Sequence, residues 1–183
     1  MAESPESGGL PPLPSPERLQ ELLFDAARLG RADMIAPLHR AGVDLEAKDQ
    51  RGYTALILAS YNGSIDTTRM LIDAGALPDT PDENRGNTAL MGVAFRGNRE
   101  IARLLLEAGA TVDARNRAGQ TALMTAALFG HGGIVEDLLG QGASPLLVDA
   151  AGNSARSVAA AQGNAPIVAL LDAACPPIGM FDG

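Results

Sequence analysis

Glycine recurs in this chain at intervals of 33 or 34 residues, and this period constrains the fold more than any other feature of the sequence. The first series lies in the pattern Gly-x-Thr/Ser-Ala and comprises Gly52, Gly86, Gly119 and Gly152. The second lies eleven residues later and comprises Gly63, Gly97, Gly130 and Gly163. The third closes each unit and comprises Gly42, Gly75, Gly109 and Gly142. Three series with one period predict a solenoid, in which each repeat packs against its neighbours.

The residues around these glycines predict the structure of one unit. Hydroxyl residues stand where they can cap the first turn of a short helix, namely Thr54, Thr88, Thr121 and Ser154. The second glycine series stands where that helix must end in a left-handed conformation. A second helix follows, as in residues 100–108, where apolar residues recur at spacings of three and four. Stretches rich in Asp, Asn and Gly between the units predict hairpin-like turns.

The segments at 54–59, 88–94 and 121–127 resemble the ankyrin repeat, whose pattern is close to Asp-x-x-Gly-x-Thr-Pro-Leu-His-x-Ala. In this chain Ala replaces Pro, and Ile or Met replaces His. These replacements remove the hydrogen bonds that the family's histidine makes, but they keep the helix cap. The resemblance implies an all-α ankyrin-repeat solenoid of about five helix–loop–helix repeats with hairpin-like turns.

This resemblance covers residues 16–174. The predicted repeats are 16–48, 49–81, 82–115, 116–148 and 149–175. Residues 1–15 are rich in Ser, Pro and Gly and predict a flexible lead-in. Residues 176–183 form a tail for which two alternatives stay open. It folds back over the last repeat with Phe181 as its anchor, or it is disordered.

Composition and the lack of chemical motifs argue against catalysis. The formal net charge of −8 disfavours binding to nucleic acid or to anionic membranes. A single cysteine, Cys175, excludes an internal disulfide. His39 and His131 lie in different repeats, and His131 is interpreted as a structural residue at a helix start. We therefore predict no enzyme and no catalytic, cofactor-binding or metal-binding residue.

The turn at 77–84 carries two prolines and the one extra residue of the array, so it is predicted to protrude stiffly. It is either a contact finger or a tolerated insertion. Its neighbouring acids Asp79, Asp82 and Glu83 lack the order of a calcium loop, so we interpret them as a solvated turn.

Neither a run of about 18 apolar residues nor a signal peptide is visible in the sequence. We therefore expect a cytoplasmic monomer without a membrane span. The alternative is a periplasmic protein whose export signal has been removed.

Ankyrin repeats resembling these bind other proteins through turn tips and the concave face of the first helices. The equivalent positions of this chain predict a partner-binding set of Arg51, Tyr53, Tyr61, Asn62, Arg85, Asn87, Phe95, Arg96, Arg117, Gln120, Leu128 and Phe129. This set holds four of the six aromatic residues, and aromatic and arginine side chains are common at binding hot spots. Its arginines suggest an acidic or mixed-charge partner. The alternative is that Phe95 and Leu128 pack between repeats.

The segments at 59–63, 86–97 and 119–130 are similar to a group of bacterial ankyrin proteins that often accompany a catalase. That similarity implies an accessory role in peroxide resistance, commonly from the periplasm or the inner-membrane face. This chain departs from the group because it shows no export signal. Two further hypotheses are a small-ligand site and a self-assembling scaffold.

Overall fold

Ten α-helices form five consecutive pairs in the computed structural model, which describes residues 14–175. The helices are α1 (Pro16–Leu29), α2 (Ala32–Arg40), α3 (Ala55–Tyr61), α4 (Ile65–Asp73), α5 (Ala89–Arg96), α6 (Arg99–Glu107), α7 (Ala122–Leu128), α8 (Gly132–Gly140), α9 (Ala155–Ala161) and α10 (Ala165–Ala174). The all-α repeat fold is therefore confirmed. The predicted tail and its anchor Phe181 lie outside the described residues. None of the described helices is long and apolar enough to cross a bilayer.

The helices stack in two rows. The odd-numbered helices, which we call the inner helices, pack in the order α1, α3, α5, α7 and α9. The even-numbered outer helices pack in the same way from α2 to α10, and each inner helix also contacts the outer helix of its own pair. Each repeat thus buries its apolar face mainly against the repeats on either side, as a solenoid requires.

Small aliphatic side chains fill the space between the rows. Each outer helix buries one leucine at an equivalent position, and these are Leu38, Leu71, Leu105, Leu138 and Leu171. The inner helices contribute buried alanines such as Ala59 and Ala126, which let neighbouring helices approach closely. Phe24 is the one aromatic residue in the core of the described chain. Tyr61, Phe95 and Phe129 are instead exposed at the surface.

Side-chain caps fix the start of most inner helices. The hydroxyls of Thr54, Thr121 and Ser154 accept the predicted hydrogen bond from the third residue of their helix. Thr88 has the extended backbone of a capping residue, but its hydroxyl accepts no such bond. The Thr88 carbonyl accepts a hydrogen bond from the Gly92 N–H at 3.2 Å. Thr88 therefore lies at the predicted capping position, but the prediction that its hydroxyl accepts the capping hydrogen bond is wrong.

The left-handed glycines predicted at helix ends are confirmed, since the members of the second series have φ between 70° and 80°. The glycines of the first series also have positive φ, which the sequence analysis did not predict. At Gly97 a neighbour adds a second constraint. A Cβ there would lie 2.4 Å from the ring of His131, which belongs to the next repeat. The His131 Nε2 lies 3.1 Å from the carbonyl oxygen of Phe95. His131 precedes α8 and has the structural role that the sequence predicts.

The turns between repeats stack on one another through their backbones. The Glu83 N–H donates to the carbonyl of Gly52 at 3.0 Å, and the Arg117 N–H donates to the carbonyl of Arg85 at 2.9 Å. A third bond of the same kind joins the turns of the last two repeats. These bonds hold the exposed tips of the turns in a fixed row beside the inner helices.

The turn at 77–84, predicted to protrude stiffly, is hydrogen-bonded to both neighbouring repeats. Asp79 accepts a hydrogen bond from the Thr111 N–H at 2.9 Å, and the Thr80 hydroxyl donates to Glu46. The turn accommodates the extra residue because polar side chains of both adjacent repeats form hydrogen bonds with it.

Asp82 is buried, with 4% of its surface exposed, so our interpretation of it as a solvated acid is also wrong. Its carboxylate accepts hydrogen bonds from the backbone N–H groups of Asn84, Arg85, Gly86 and Asn87. A buried carboxylate is stable when its oxygens are satisfied in this way. Asp82 therefore shapes the hairpin of the third repeat from within.

Candidate partner-binding groove

Three aromatic rings form a continuous row along the C-terminal ends of the inner helices. Tyr61 stacks on Phe95 with ring centroids 6.1 Å apart, and Phe95 meets Phe129 edge to face at 4.5 Å. We call these three residues the aromatic ladder. Their exposed fractions are 40%, 41% and 46%, which is high for large apolar side chains. The ladder therefore packs between repeats and still presents apolar surface to solvent.

The guanidinium of Arg96 lies over the Tyr61 ring, 5.3 Å from its centroid. This geometry permits a cation–π interaction, which orients the arginine without neutralising its charge. Arg96 forms no ion pair within residues 14–175. The aromatic ladder is therefore an apolar row with the positive charge of Arg96 at its edge.

A cleft of about 480 Å³ opens between the second and third repeats, beside the ladder. Its walls come from two hairpin tips and from α3 and α5, and it is lined by Arg28, Arg51, Tyr53, Ile57, Leu58, Tyr61, Asn62, Asp82, Asn84, Arg85, Asn87, Thr88 and Gly92. We call it the Gly92 cleft. It brings together hairpin residues and inner-helix residues that the sequence predicts to share one face.

Two of the predicted arginines, Arg51 and Arg85, line this cleft, are exposed, and form no ion pair within the described chain. Arg117 lies on the next hairpin and donates a hydrogen bond to the Asn84 carbonyl at 3.0 Å. Arg28, which the sequence analysis did not include, also lines the cleft but is paired with Asp49 at 2.5 Å. The cleft is thus lined by one guanidinium that is paired with a carboxylate, Arg28, and by two that are unpaired within the described chain, Arg51 and Arg85.

The remaining predicted residues are partly engaged within the protein. Asn62 donates to the Arg28 carbonyl at 3.3 Å, and Asn87 accepts from the Asn116 amide at 2.9 Å. Gln120 also accepts from Asn116, at 3.1 Å. Tyr53 and Leu128 are half-buried. These five side chains support the groove, whereas the ladder and the arginines project from it.

Besides Arg28, sequence reasoning missed Leu29 and Gly92 on this face. Leu29 is 76% exposed and stands in the register of Arg96 and Phe129. It was missed because the first repeat lacks the Thr-x-Leu signature. Gly92 was missed because it belongs to none of the glycine series. Aligning the repeats would have found it, since the equivalent residues are Leu58, Thr125 and Val158.

The strongest shift in a carboxyl pKa occurs away from the groove, between α6 and α8. Asp137 accepts hydrogen bonds from Arg99 at 2.7 and 2.8 Å and from Arg103 at 2.9 and 3.0 Å. These bonds, from Arg99 above all, hold the pKa of Asp137 well below its ordinary value. We call this the Asp137 network. Among the described residues, no group of three His, Cys, Asp or Glu side chains is arranged to hold a metal ion.

Comparison with known proteins gives one family and two partial relatives. The family model described as "Ankyrin repeats (3 copies)" matches residues 23–116 and 78–149. XBAT35 of Arabidopsis thaliana, named as a candidate E3 ubiquitin-protein ligase, is 42% identical over 57 residues, which is 31% of this chain and 12% of that protein. The human mitochondrial disaggregase is 45% identical over 69 residues, which is 38% of this chain and 10% of that protein. The matched segments thus span about a tenth of each relative's length.

Proposed function

Because this chain belongs to the ankyrin-repeat family, we propose that it is a non-catalytic module that binds another protein through its groove. The groove consists of the aromatic ladder, the hairpin tips and the Gly92 cleft between them. Half of the twelve predicted residues line the cleft, namely Arg51, Tyr53, Tyr61, Asn62, Arg85 and Asn87. Ankyrin repeats generally mediate protein–protein interaction, so the proposal needs no new chemistry.

The observation that carries the proposal is the exposure of the aromatic ladder. Phe95 and Phe129 keep 41% and 46% of their surface in solvent, although they contact each other. Exposed apolar surface of this kind commonly marks a site of protein association. Rings held by their neighbours lose little conformational freedom on binding, so they are suited to act as anchors.

The unpaired arginines beside the ladder support a partner with an acidic or mixed-charge surface. Arg51, Arg85 and Arg96 carry positive charge in a protein whose net charge is −8. Complementary charge would set the register of the partner and speed the encounter more than it would raise affinity.

Phe95→Ala/Phe129→Ala is the variant that tests this proposal. It removes two rings and leaves every lining residue of the Gly92 cleft intact. A matched control is Leu77→Ala/Leu146→Ala, which removes two exposed leucines from turns outside the groove. Wild type and control should retain a common prey from the native cell lysate. With the purified prey, the ring variant should bind about tenfold more weakly or worse.

Folding of each variant is checked by its helical circular dichroism and its melting temperature. If a folded Phe95→Ala/Phe129→Ala variant binds the prey as tightly as wild type, the groove is not the binding surface. If the control loses the prey as well, contacts outside the groove are responsible.

A narrower proposal is that the partner is a catalase or another peroxide enzyme in a bacterial cell. It depends on the similarity of residues 59–63, 86–97 and 119–130 to catalase-associated ankyrin proteins. Direct titration of a purified catalase with this protein tests it, with the ring variant as the negative control. Unchanged peroxide sensitivity in a deletion strain would count against it.

We further propose that the protein acts as a cytoplasmic monomer. Sedimentation at several concentrations tests the oligomeric state, because a self-assembling scaffold would gain mass as concentration rises. Fractionation of the native cell tests the compartment, and recovery in the periplasm would overturn that part of the proposal.

A further inference from the structure

We infer that the Gly92 cleft is a specific site for the carboxylate side chains of an extended acidic segment in the partner protein. This inference rests on the proposed function and adds to it the chemistry of the bound segment. Three features of the cleft carry the argument: its repeat register, its uncompensated charge and its open floor.

The register comparison shows that the arginines of the cleft are special to it. Arg51 and Arg85 occupy the same position in the hairpins of the second and third repeats. In the hairpins of the fourth and fifth repeats that position holds Ala118 and Ala151. The repeat fold therefore does not require arginine there, and the two guanidiniums occur only where a cleft lies between them.

The charges that line the cleft leave a positive excess. Among its lining residues Asp82 is the one carboxylate, and four backbone N–H groups already occupy its oxygens. Arg28 is neutralised by Asp25 and Asp49. Arg51 and Arg85 have no such partner within the described chain. A ligand that supplies acceptor oxygens would balance them.

Gly92 keeps the floor of the cleft open. It lies inside α5, where glycine stabilises a helix less than alanine does. A Cβ at this position would meet only the Tyr61 ring, at an ordinary contact distance of 3.5 Å. Neither the backbone nor a close neighbour therefore demands glycine. A longer side chain, such as the Leu58 of the preceding repeat, would instead extend into the cleft.

A carboxylate suits these features better than other groups. The planar fork of arginine matches the two oxygens of a carboxylate. A volume of about 480 Å³ exceeds the needs of one such group, so neighbouring residues of an extended segment would fill the rest. A nucleic acid would bring many phosphates towards a protein of net charge −8, whereas an acidic segment brings few charges.

The test is an NMR titration of the whole protein at low salt with an end-capped hexapeptide that contains two glutamates. A peptide with glutamine at both positions is the matched probe. The glutamate peptide should shift the amide signals of Gly92 and Arg85 and bind about tenfold more tightly than the glutamine peptide. Its affinity should fall as salt is added.

Arg51→Ala/Arg85→Ala should weaken binding of the glutamate peptide about tenfold or more. Arg40→Ala/Arg69→Ala is the control, because it removes the same charge from exposed residues of outer helices. Gly92→Leu should weaken binding while the helical signal is kept. Equal losses in both arginine variants would mean that the peptide responds to net charge alone, and would overturn the inference.

Two further outcomes would also overturn it. One is equal affinity for the glutamate and glutamine peptides. The other is saturation of the cleft by inorganic phosphate under conditions where the glutamate peptide does not bind. The proposed function fails separately, since its test removes Phe95 and Phe129. A prey that needs those rings but not Arg51 and Arg85 would leave the groove proposal standing and reject the carboxylate site.

Discussion

Two arginine pairs, one in the Gly92 cleft and one on the outer surface, differ in what their charges contact. The guanidiniums of Arg51 and Arg85 project from successive hairpins and form no ion pair within the described chain. Arg99 and Arg103 lie on α6, and both bind Asp137 of α8 in a two-point geometry. The same residue type therefore joins repeats on the outer surface and stays unpaired in the cleft.

The difference lies in the neighbour that the next repeat supplies. α8 places Asp137, 14% exposed at its side chain, within reach of both outer guanidiniums. The carboxylates of the two hairpins pair with neither Arg51 nor Arg85. Asp82 accepts hydrogen bonds from four backbone N–H groups. Asp49 pairs with Arg28 at 2.5 Å, and Glu83 lies 3.9 Å from Lys48. We therefore expect substitutions in the Asp137 network to change stability, and those in the cleft to change binding.

Removal of the carboxylate at the centre of the outer network should have the largest effect on stability. Asp137→Ala is expected to lower the free energy of unfolding by about 1–2 kcal/mol, because two guanidiniums lose their shared partner while remaining partly exposed. Urea denaturation measures this. Glu136→Ala is the control, since Glu136 makes a single 3.1 Å contact with Arg99. Equal losses in the two variants would show that Asp137 has no special place in the network.

Acid should remove the same stabilisation. The pKa of Asp137 is lower in the folded protein than in the unfolded chain, so its contribution is complete above about pH 5. It is lost as the pH falls below about 4 towards the folded-state pKa. The stability difference between wild type and Asp137→Ala should therefore shrink between about pH 5 and about pH 2. A difference that grows in acid would contradict this assignment.

The row of outer helices also contains an unsatisfied buried hydroxyl in α4, one repeat before the Asp137 network begins at α6. Thr67 of α4 is fully buried, and its hydroxyl has no hydrogen-bond partner among the described residues. Thr67→Val should raise the free energy of unfolding by about 1 kcal/mol, because an unsatisfied buried hydroxyl is replaced by a methyl group. Thr68→Val should gain less, since the Thr68 hydroxyl donates to the Ser64 carbonyl at 2.8 Å. Thermal unfolding would distinguish the two.

Adding a single Cβ at Gly92, on the floor of the cleft, should stabilise the protein slightly. Gly92→Ala is expected to raise the free energy of unfolding by about 0.5–1 kcal/mol, as alanine is the better helix former and its Cβ meets no close contact. Chemical denaturation measures the change. A loss of stability would mean that packing in the fold requires the glycine.

The smallest effect on stability is expected for Arg51→Ala/Arg85→Ala. Both side chains are exposed and unpaired, so the free energy of unfolding should change by less than about 0.5 kcal/mol. The same denaturation experiment measures it. A loss as large as that of Asp137→Ala would remove the distinction between the two arginine pairs.

Much of the fold is predictable from the sequence because its signals are local. The glycine series mark left-handed positions, and Thr54, Thr121 and Ser154 cap the helices that follow them. The turn at 77–84 was predicted less well. Asp79 and Asp82 accept hydrogen bonds from other residues in the fold, and the pattern of acidic residues in the sequence does not identify those donors.

The candidate groove is predictable in part for the same reason. Repeat register identifies which positions share a face, so the ladder and the hairpin arginines could be chosen from the sequence. Register does not give the contacts between side chains. The engagement of Asn62, Asn87 and Gln120 within the protein therefore emerged only from the structure. Their role in binding a partner stays a prediction, as does that of the ladder.

The sequence by itself determined the period, the glycines at which helices end and most of the hydroxyl residues that cap the inner helices. These follow from backbone preferences and caps that act within a few residues. Only the tertiary structure decided that Arg99 meets Asp137, 38 residues away, and that a cleft opens beside Gly92. Those outcomes depend on how far one repeat is shifted and rotated against the next. That geometry is set by the packing of whole helices rather than by any local sequence pattern.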